Sequence, residues 1–343
     1  MGLSERKQKI LAAVIDLYVA TGEPVGSKAL CDTLDFAVSS ATVRNEMSEL
    51  SELGLLEQPH TSAGRIPSQK GYRVYVDTIM KKHPISGEDQ RYIDSLLLPS
   101  AYDPGRLLDG VSRALAGMTK FAAVSTTPSG NAADIRAIQF VQTSRRTAMV
   151  ILMSSAGTMK SRVFHCDFDI TPEILRVFFR MLNEKMIGLP VSAITPAYIQ
   201  TLAASLGDMS MLMSSALMAV LDVAQDSMQS EVCLDGEMNL LFCHELGQSG
   251  IRRIMDFLSR PQELSRLLMQ QASSIKVLIG EETNRPELSE SSVIVSRYSV
   301  GGKDAGAIAI IGPTRMNYGK IISNIEYLSG SVERMLTELM DME

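Results

Sequence analysis

The chain reads as an α+β protein of several domains, opening with a winged helix–turn–helix unit. Three observations predict this. Residues up to Gly54 carry helical periodicity interrupted by Gly and Pro. The segment Gln58–Val76 holds Arg65, Lys70, Arg73 and His60 but no Asp or Glu. Beyond residue 120 the pattern turns to apolar alternation, then to a helical block, then back to alternation. At 343 residues the chain exceeds the roughly 250–300 at which a single core stops growing, so two or three domains are expected.

Ser4 is placed to cap a first helix whose apolar residues Ile10, Leu11, Val14, Leu17 and Tyr18 recur at three- and four-residue steps. Thr21-Gly22 and Pro24 end it. A short second helix runs from Ser27 to Leu34, and Ser39 or Ser40 caps a third with Val43, Met47 and Leu50 on one face. Gly54 suits the left-handed position that follows it. The other face of this third helix offers Thr42, Arg44, Asn45, Ser48 and Glu49. Arg fits the guanine O6/N7 edge and Asn the adenine N6/N7 edge, each pair worth roughly 1–3 kcal/mol of discrimination. Ser39, Ser40 and Thr42 mark the end of such a helix that normally enters the major groove.

The acid-free segment that follows is expected to form the wing. Pro59 and Pro67 oppose helix formation, and Gly64 and Gly71 allow tight turns. Thr61, Ser62, Arg65, Lys70, Tyr72 and Arg73 are the expected phosphate contacts. His60 is expected either to reach DNA or to shape the wing through a hydrogen bond.

A net charge of −6 argues against a protein that coats nucleic acid everywhere, but not against a sequence-specific regulator, because the local field decides docking. Residues 1–83 hold ten Lys plus Arg and ten Asp plus Glu, so the acidic excess lies entirely in the remainder. No apolar run is long enough for a transmembrane helix, and charges in the first ten residues argue against a secretory leader. Cys31, Cys166, Cys233 and Cys243 show neither C-x-x-C nor zinc spacing, which points to reduced thiols in the cytoplasm.

His83-Pro84 and Ser86-Gly87 are expected to form a linker to two helices, Glu88–Leu98 and Asp103–Gly117. Strand patterns at 121–125, 135–142, 147–153 and 158–165 then predict one antiparallel meander. Helix starts recur at Thr171-Pro172-Glu173 and Thr195-Pro196, and a methionine-rich helix spans 208–228. Strand patterns resume at 275–279, 292–298 and 306–312 before a closing helix from Asn317. One sheet domain interrupted by a helical insertion accounts for this order.

No constellation predicts catalysis, a cofactor or a metal. Gly302-Lys303 lacks the other residues of a phosphate-binding loop and reads as a hairpin turn. Three consecutive side chains cannot converge on one reacting atom, which discounts Cys243-His244-Glu245 and His165-Cys166-Asp167. Asp167 and Asp169 have no further ligand in view.

The runs PVGSKAL, SSATVRNEMSELSELGLL and QPHTSAGRIPSQKGYRVYVD closely resemble the HrcA family of heat-inducible transcription repressors. So do GEMNLLF at 236–242, VLIGEE at 277–282, SSVIVSRY at 291–298 and GAIAIIGPTRMNYGKII at 306–322. The resemblance implies a DNA-binding domain at 1–82, a GAF-like domain at 88–164 and 246–343, and an inserted dimerising domain at 165–245. It also implies a homodimer on an inverted-repeat operator of double-stranded DNA upstream of class I heat-shock genes, released on heating and tuned by the GroEL chaperonin. The rival expectation is a repressor that senses a small molecule through its GAF-like domain.

Overall fold

Ser4 caps helix α1 (Glu5–Thr21) by accepting the Lys7 amide, and Gly22 ends it in the left-handed conformation with its N–H on Tyr18 O. The structure, a computed structural model, describes residues 3–60, 63–128, 130, 133–207, 209–271 and 275–341. Ile10, Leu11, Val14 and Ile15 of α1 pack on the short α2 (Ser27–Cys31) and on α3 (Ser40–Glu52), which buries Val43, Met47 and Leu50. Gly54 adopts the left-handed conformation just past α3, as expected. Strands β1 (Leu56–Glu57) and β2 (Ile66–Pro67) then pair antiparallel, and Arg65 bridges to Val25.

The wing is shorter than the sequence suggested. Ser68 accepts the Gly71 amide and caps a helix, α4 (Gln69–Val74), which continues as a π-helical turn over Tyr75–Ile79. Pro67 stands just ahead of a serine cap, a position that permits a helix start as readily as it prevents continuation. Lys70, Tyr72 and Arg73 are therefore helical residues and not part of the ribbon.

After α5 (Gly87–Leu97), α6 (Pro104–Thr119) leads into β3 (Ala122–Thr126). The chain then leaves for β4 (Ile135–Gln142), β5 (Thr147–Ser154) and β6 (Met159–His165), followed by α7 (Pro172–Met186), α8 (Pro196–Ser205) and α9 (Met209–Met228). It returns through β7 (Val232–Asp235), α10 (Gly247–Leu258), α11 (Pro261–Met269), β8 (Lys276–Ile279), β9 (Ser291–Val300), β10 (Lys303–Pro313) and α12 (Tyr318–Asp341). The central antiparallel sheet has the order β7-β3-β10-β9-β8, while β4-β5-β6 form a separate sheet.

This order corrects the expected single meander and the boundaries at 165 and 245. β3 pairs with β10 and β7, not with β4, and residues 135–224 share a core of their own. The interruption therefore falls between β3 and β7. Alternation reports that a strand has one covered face, but not which sheet covers it.

The central sheet is covered on both faces. Ala123, Ile294, Ile308 and Ile310 face α6 and α12, where they meet Val111, Leu115, Ile325 and Val332. Ala122, Val124, Val293, Val295 and Ala309 face α10 and α11, against Ile254, Phe257 and Leu268. The core beneath α12 runs without a break into the winged unit, so the two domains share buried surface. Among the described residues no helix is long and apolar enough to cross a membrane.

Candidate nucleic-acid interface

The N-terminus of α3 is held by short side chains. Ser39 is extended, and its Oγ accepts the Thr42 amide at 3.1 Å and lies 2.8 Å from Thr42 Oγ1. Ser40 Oγ lies 3.0 Å from Ser27 Oγ, tying the start of α3 to the start of α2. Further along, Arg44, Asn45 and Ser48 are exposed. Among the described residues none of these three has a side-chain partner, so their hydrogen-bonding groups stay available to base edges.

The reverse side of α3 is anchored by charge. Glu46 points inward at 3 % exposure and meets Arg6 and Lys7 of α1. Its Oε2 lies 3.3 Å from Lys7 Nζ, yet that oxygen makes no well-aligned hydrogen bond, so the contact is electrostatic. Lys7 Nζ also reaches Glu49 Oε2 at 2.7 Å. That bond raises the Lys7 ammonium above its ordinary pKa and lowers the Glu49 carboxyl below its own.

In the wing, His60 is exposed at the tip, whereas Thr61 and Ser62 lie outside the described residues. Arg65 exchanges both backbone hydrogen bonds with Val25 at 2.9 Å, and its Nε donates to Ser51 Oγ of α3 at 3.0 Å. A Cβ on Gly64 would stand 2.3 Å from Val25 O, and one on Gly71 would stand 2.1 Å from Leu55 O. Close backbone approach, not turn geometry, demands glycine at both. Lys70 is exposed, and its Nζ donates to Leu53 O at 2.9 Å, one of the free carbonyls at the end of α3.

Two expected phosphate contacts are placed elsewhere. Tyr72 is buried in the core with its ring 5.6 Å from that of Tyr318, and burial drives its hydroxyl pKa far up. Arg73 faces the central domain: Nε donates to Glu282 Oε1 at 2.8 Å, one terminal nitrogen to Val277 O at 2.6 Å, the other to Asp77 at 3.0 Å. Both residues follow the helical turn of α4 inward, which a ribbon reading could not foresee.

Lys28 is a further candidate contact. It is exposed on α2, the helix that crosses the backbone in this kind of unit, and it has no partner among the described residues. A lone cation in SKAL gives little signal until α2 is seen beside the start of α3.

The other clusters weighed in the sequence have structural uses. Burial pushes the Cys243 thiol up to about 11, with its Sγ toward Asn239 O, while Glu245 pairs with Arg315. Asp169, between β6 and α7, binds Arg145 and Arg146 of the β4–β5 turn, and Arg146 holds its carboxyl below the usual range.

Known proteins resemble the whole chain. A family described as "Winged helix-turn-helix transcription repressor, HrcA DNA-binding" matches residues 2–79, and "HrcA protein C terminal domain" matches 105–322. The heat-inducible transcription repressor HrcA of Acetivibrio thermocellus is 36% identical over 346 residues, covering 99% of this chain and 98% of that protein. Those of Carboxydothermus hydrogenoformans and Laribacter hongkongensis are each 33% identical, covering 95% and 98% of this chain and 96% of either relative. A crystal structure described only as a hypothetical protein superposes with a TM-score of 0.68 at 22% identity, covering 98% of this chain and 100% of that one, a likeness of fold alone.

Proposed function

The chain belongs to the HrcA family of heat-inducible transcription repressors, and from that premise we propose that it silences chaperone operons as a homodimer on an inverted-repeat operator, in the cytoplasm. A DNA-binding repressor, not an enzyme, is what that membership means. The finer reading rests above all on Arg44 and Asn45, exposed and uncommitted on α3 beside a short wing. One such unit reads few base pairs, and a twofold pair reads two half-sites.

The body at 133–228 is the proposed dimerising unit. Along the outward face of β4-β5-β6, the register sets Val141, Met149 and Val163 abreast, and Met153 beside Met159. Four of these five are exposed apolar side chains, which suits self-association. The same surface is where the GroEL chaperonin would grip a repressor of marginal stability, for which 1–2 kcal/mol changes the folded ratio about 5–30-fold. On heating, misfolded chains compete for the chaperonin, and the class I heat-shock genes are released.

A footprint on the promoter of the organism's own chaperonin operon, with and without GroEL, tests this. Protection of an inverted repeat that strengthens with chaperonin is expected, and failure to distinguish operator from scrambled DNA in either condition ends the reading. A thermal shift with a metabolite panel, absent protection of that promoter, would favour the small-molecule rival.

A further inference from the structure

The joint between the winged unit and the central domain is built from side chains with no other visible task. Gln69 Nε2 donates to Ser289 O at 2.8 Å, and its Oε1 accepts the Glu281 amide at 3.3 Å. Its amide fills the space over Gly280, where a Cβ would stand 2.1 Å from Oε1. One turn later, Arg73 grips Glu282 with two nitrogens and reaches Val277 O with one of them. Glu282 is itself fixed, because its Oε2 accepts the Ile279 amide at 2.9 Å. A planar guanidinium between a carboxylate and a carbonyl constrains angle as well as distance.

All of these groups belong to α4 on one side and to residues 277–289 on the other. α4 follows directly on the wing, and Lys70 on the same helix holds the end of α3 through Leu53 O. The angle of α4 against the sheet edge therefore sets the angle of α3 against the body. Residues 80–86, between the π-helical turn and α5, form no regular element, so the sequence link alone supplies no such constraint.

We propose that Gln69, Arg73 and Glu282 are positioning residues for operator recognition: they fix the direction of α3 relative to the body and so set the half-site spacing that a dimer accepts. This rests on the dimeric, palindrome-reading function proposed above. Each added base pair shifts a half-site by about 3.4 Å and turns it by about a tenth of a helical turn. A locked joint penalises such changes, whereas a loose one tolerates them.

The test measures binding of the full chain to the operator, to operators with the spacer changed by one or two base pairs, and to a single half-site. Glu282→Gln removes the charge from a residue on the body, and Arg73→Lys keeps charge but loses the fork. Both variants, confirmed folded by circular dichroism and melting, should keep half-site affinity within about twofold. Their preference for the native spacer should fall by at least about fivefold, the lower end of common coupling between sites. Unchanged spacer preference in both folded variants overturns the assignment. So does tighter binding by both to every sequence, which would make the joint inhibitory. A parent chain that ignores the palindrome brings down the function itself, which the variants alone cannot do.

Discussion

Tyr72 of the winged unit and Tyr318 at the start of α12 pack ring against ring at 5.6 Å and a 54° tilt, both buried. Tyr318 satisfies its hydroxyl with Thr314 O and Ser292 Oγ, while the Tyr72 hydroxyl has no hydrogen-bond partner among the described residues. An orphaned buried hydroxyl costs stability that its removal returns, so Tyr72→Phe should melt at the same temperature as the parent or higher. Tyr72→Ala empties the joint and should cost about 3–5 kcal/mol. Denaturant unfolding of the two variants checks this, and a Phe variant destabilised by more than about 1 kcal/mol would show that a partner had been overlooked.

Salt dependence separates the true phosphate contacts from those that sequence alone suggested. Lys28 is exposed and uncommitted, so Lys28→Ala should weaken binding to all sequences and flatten the plot of log K against log salt by about 0.9 per site. Arg73→Lys and Tyr72→Phe should leave that slope unaltered, because neither side chain is free to meet DNA. Filter binding across a salt series decides it. A flattened slope for Arg73→Lys together with an intact one for Lys28→Ala reverses both assignments.

Local grammar was legible wherever a residue's task was local. Ser4, Ser39, Asp103, Thr171 and Thr195 all cap the helices their positions suggested, and Gly301 and Gly302 take positive φ in the β9–β10 turn. What escaped the sequence depends on partners far away. The inward turn of Tyr72 and Arg73 follows from Tyr318 and Glu282, more than 200 residues on, and no short pattern contains both. Helices α10 and α11 went unrecognised for a similar reason. Their apolar residues cover the second face of the central sheet, and that face appears only once β7 and β8 frame it. In the proposed interface, residue types mark α3 as the candidate reading element, whereas Lys28 becomes a candidate only through the packing of α2 on α3.

Gly64 and Gly71 should tolerate no side chain. At both, an added methyl would press on a main-chain carbonyl at under 2.5 Å, and backbone cannot step aside as a flexible side chain can. Gly64→Ala should splay Arg65 from Val25 and loosen the wing, lowering operator affinity with a smaller effect on global stability. Gly71→Ala should push α4 from Leu55 and destabilise the unit by more than about 1 kcal/mol. Hydrogen exchange at the Arg65 and Val25 amides reads the first, and a denaturant midpoint the second. Parent-like protection in Gly64→Ala would mean the hairpin shifts as a body.

Acid should open the joint before it unfolds the rest. Burial pushes the Glu282 carboxyl upward, but hydrogen bonds from Arg73 and the Ile279 amide outweigh it and leave the folded value below the ordinary 4.5. The unfolded chain thus takes up the proton first as pH falls, and the stabilisation is complete above about pH 4.5. It fades as pH drops through the folded value. Melting temperature should therefore hold between pH 7 and 5 and decline below, and Glu282→Gln should flatten part of that decline while starting lower at neutral pH. Because the pair is partly solvated, its neutral-pH contribution should be screened by salt. A Glu282→Gln variant that follows the parent's acid profile point for point would show that other carboxylates, such as Glu49 beside Lys7, carry the acid sensitivity.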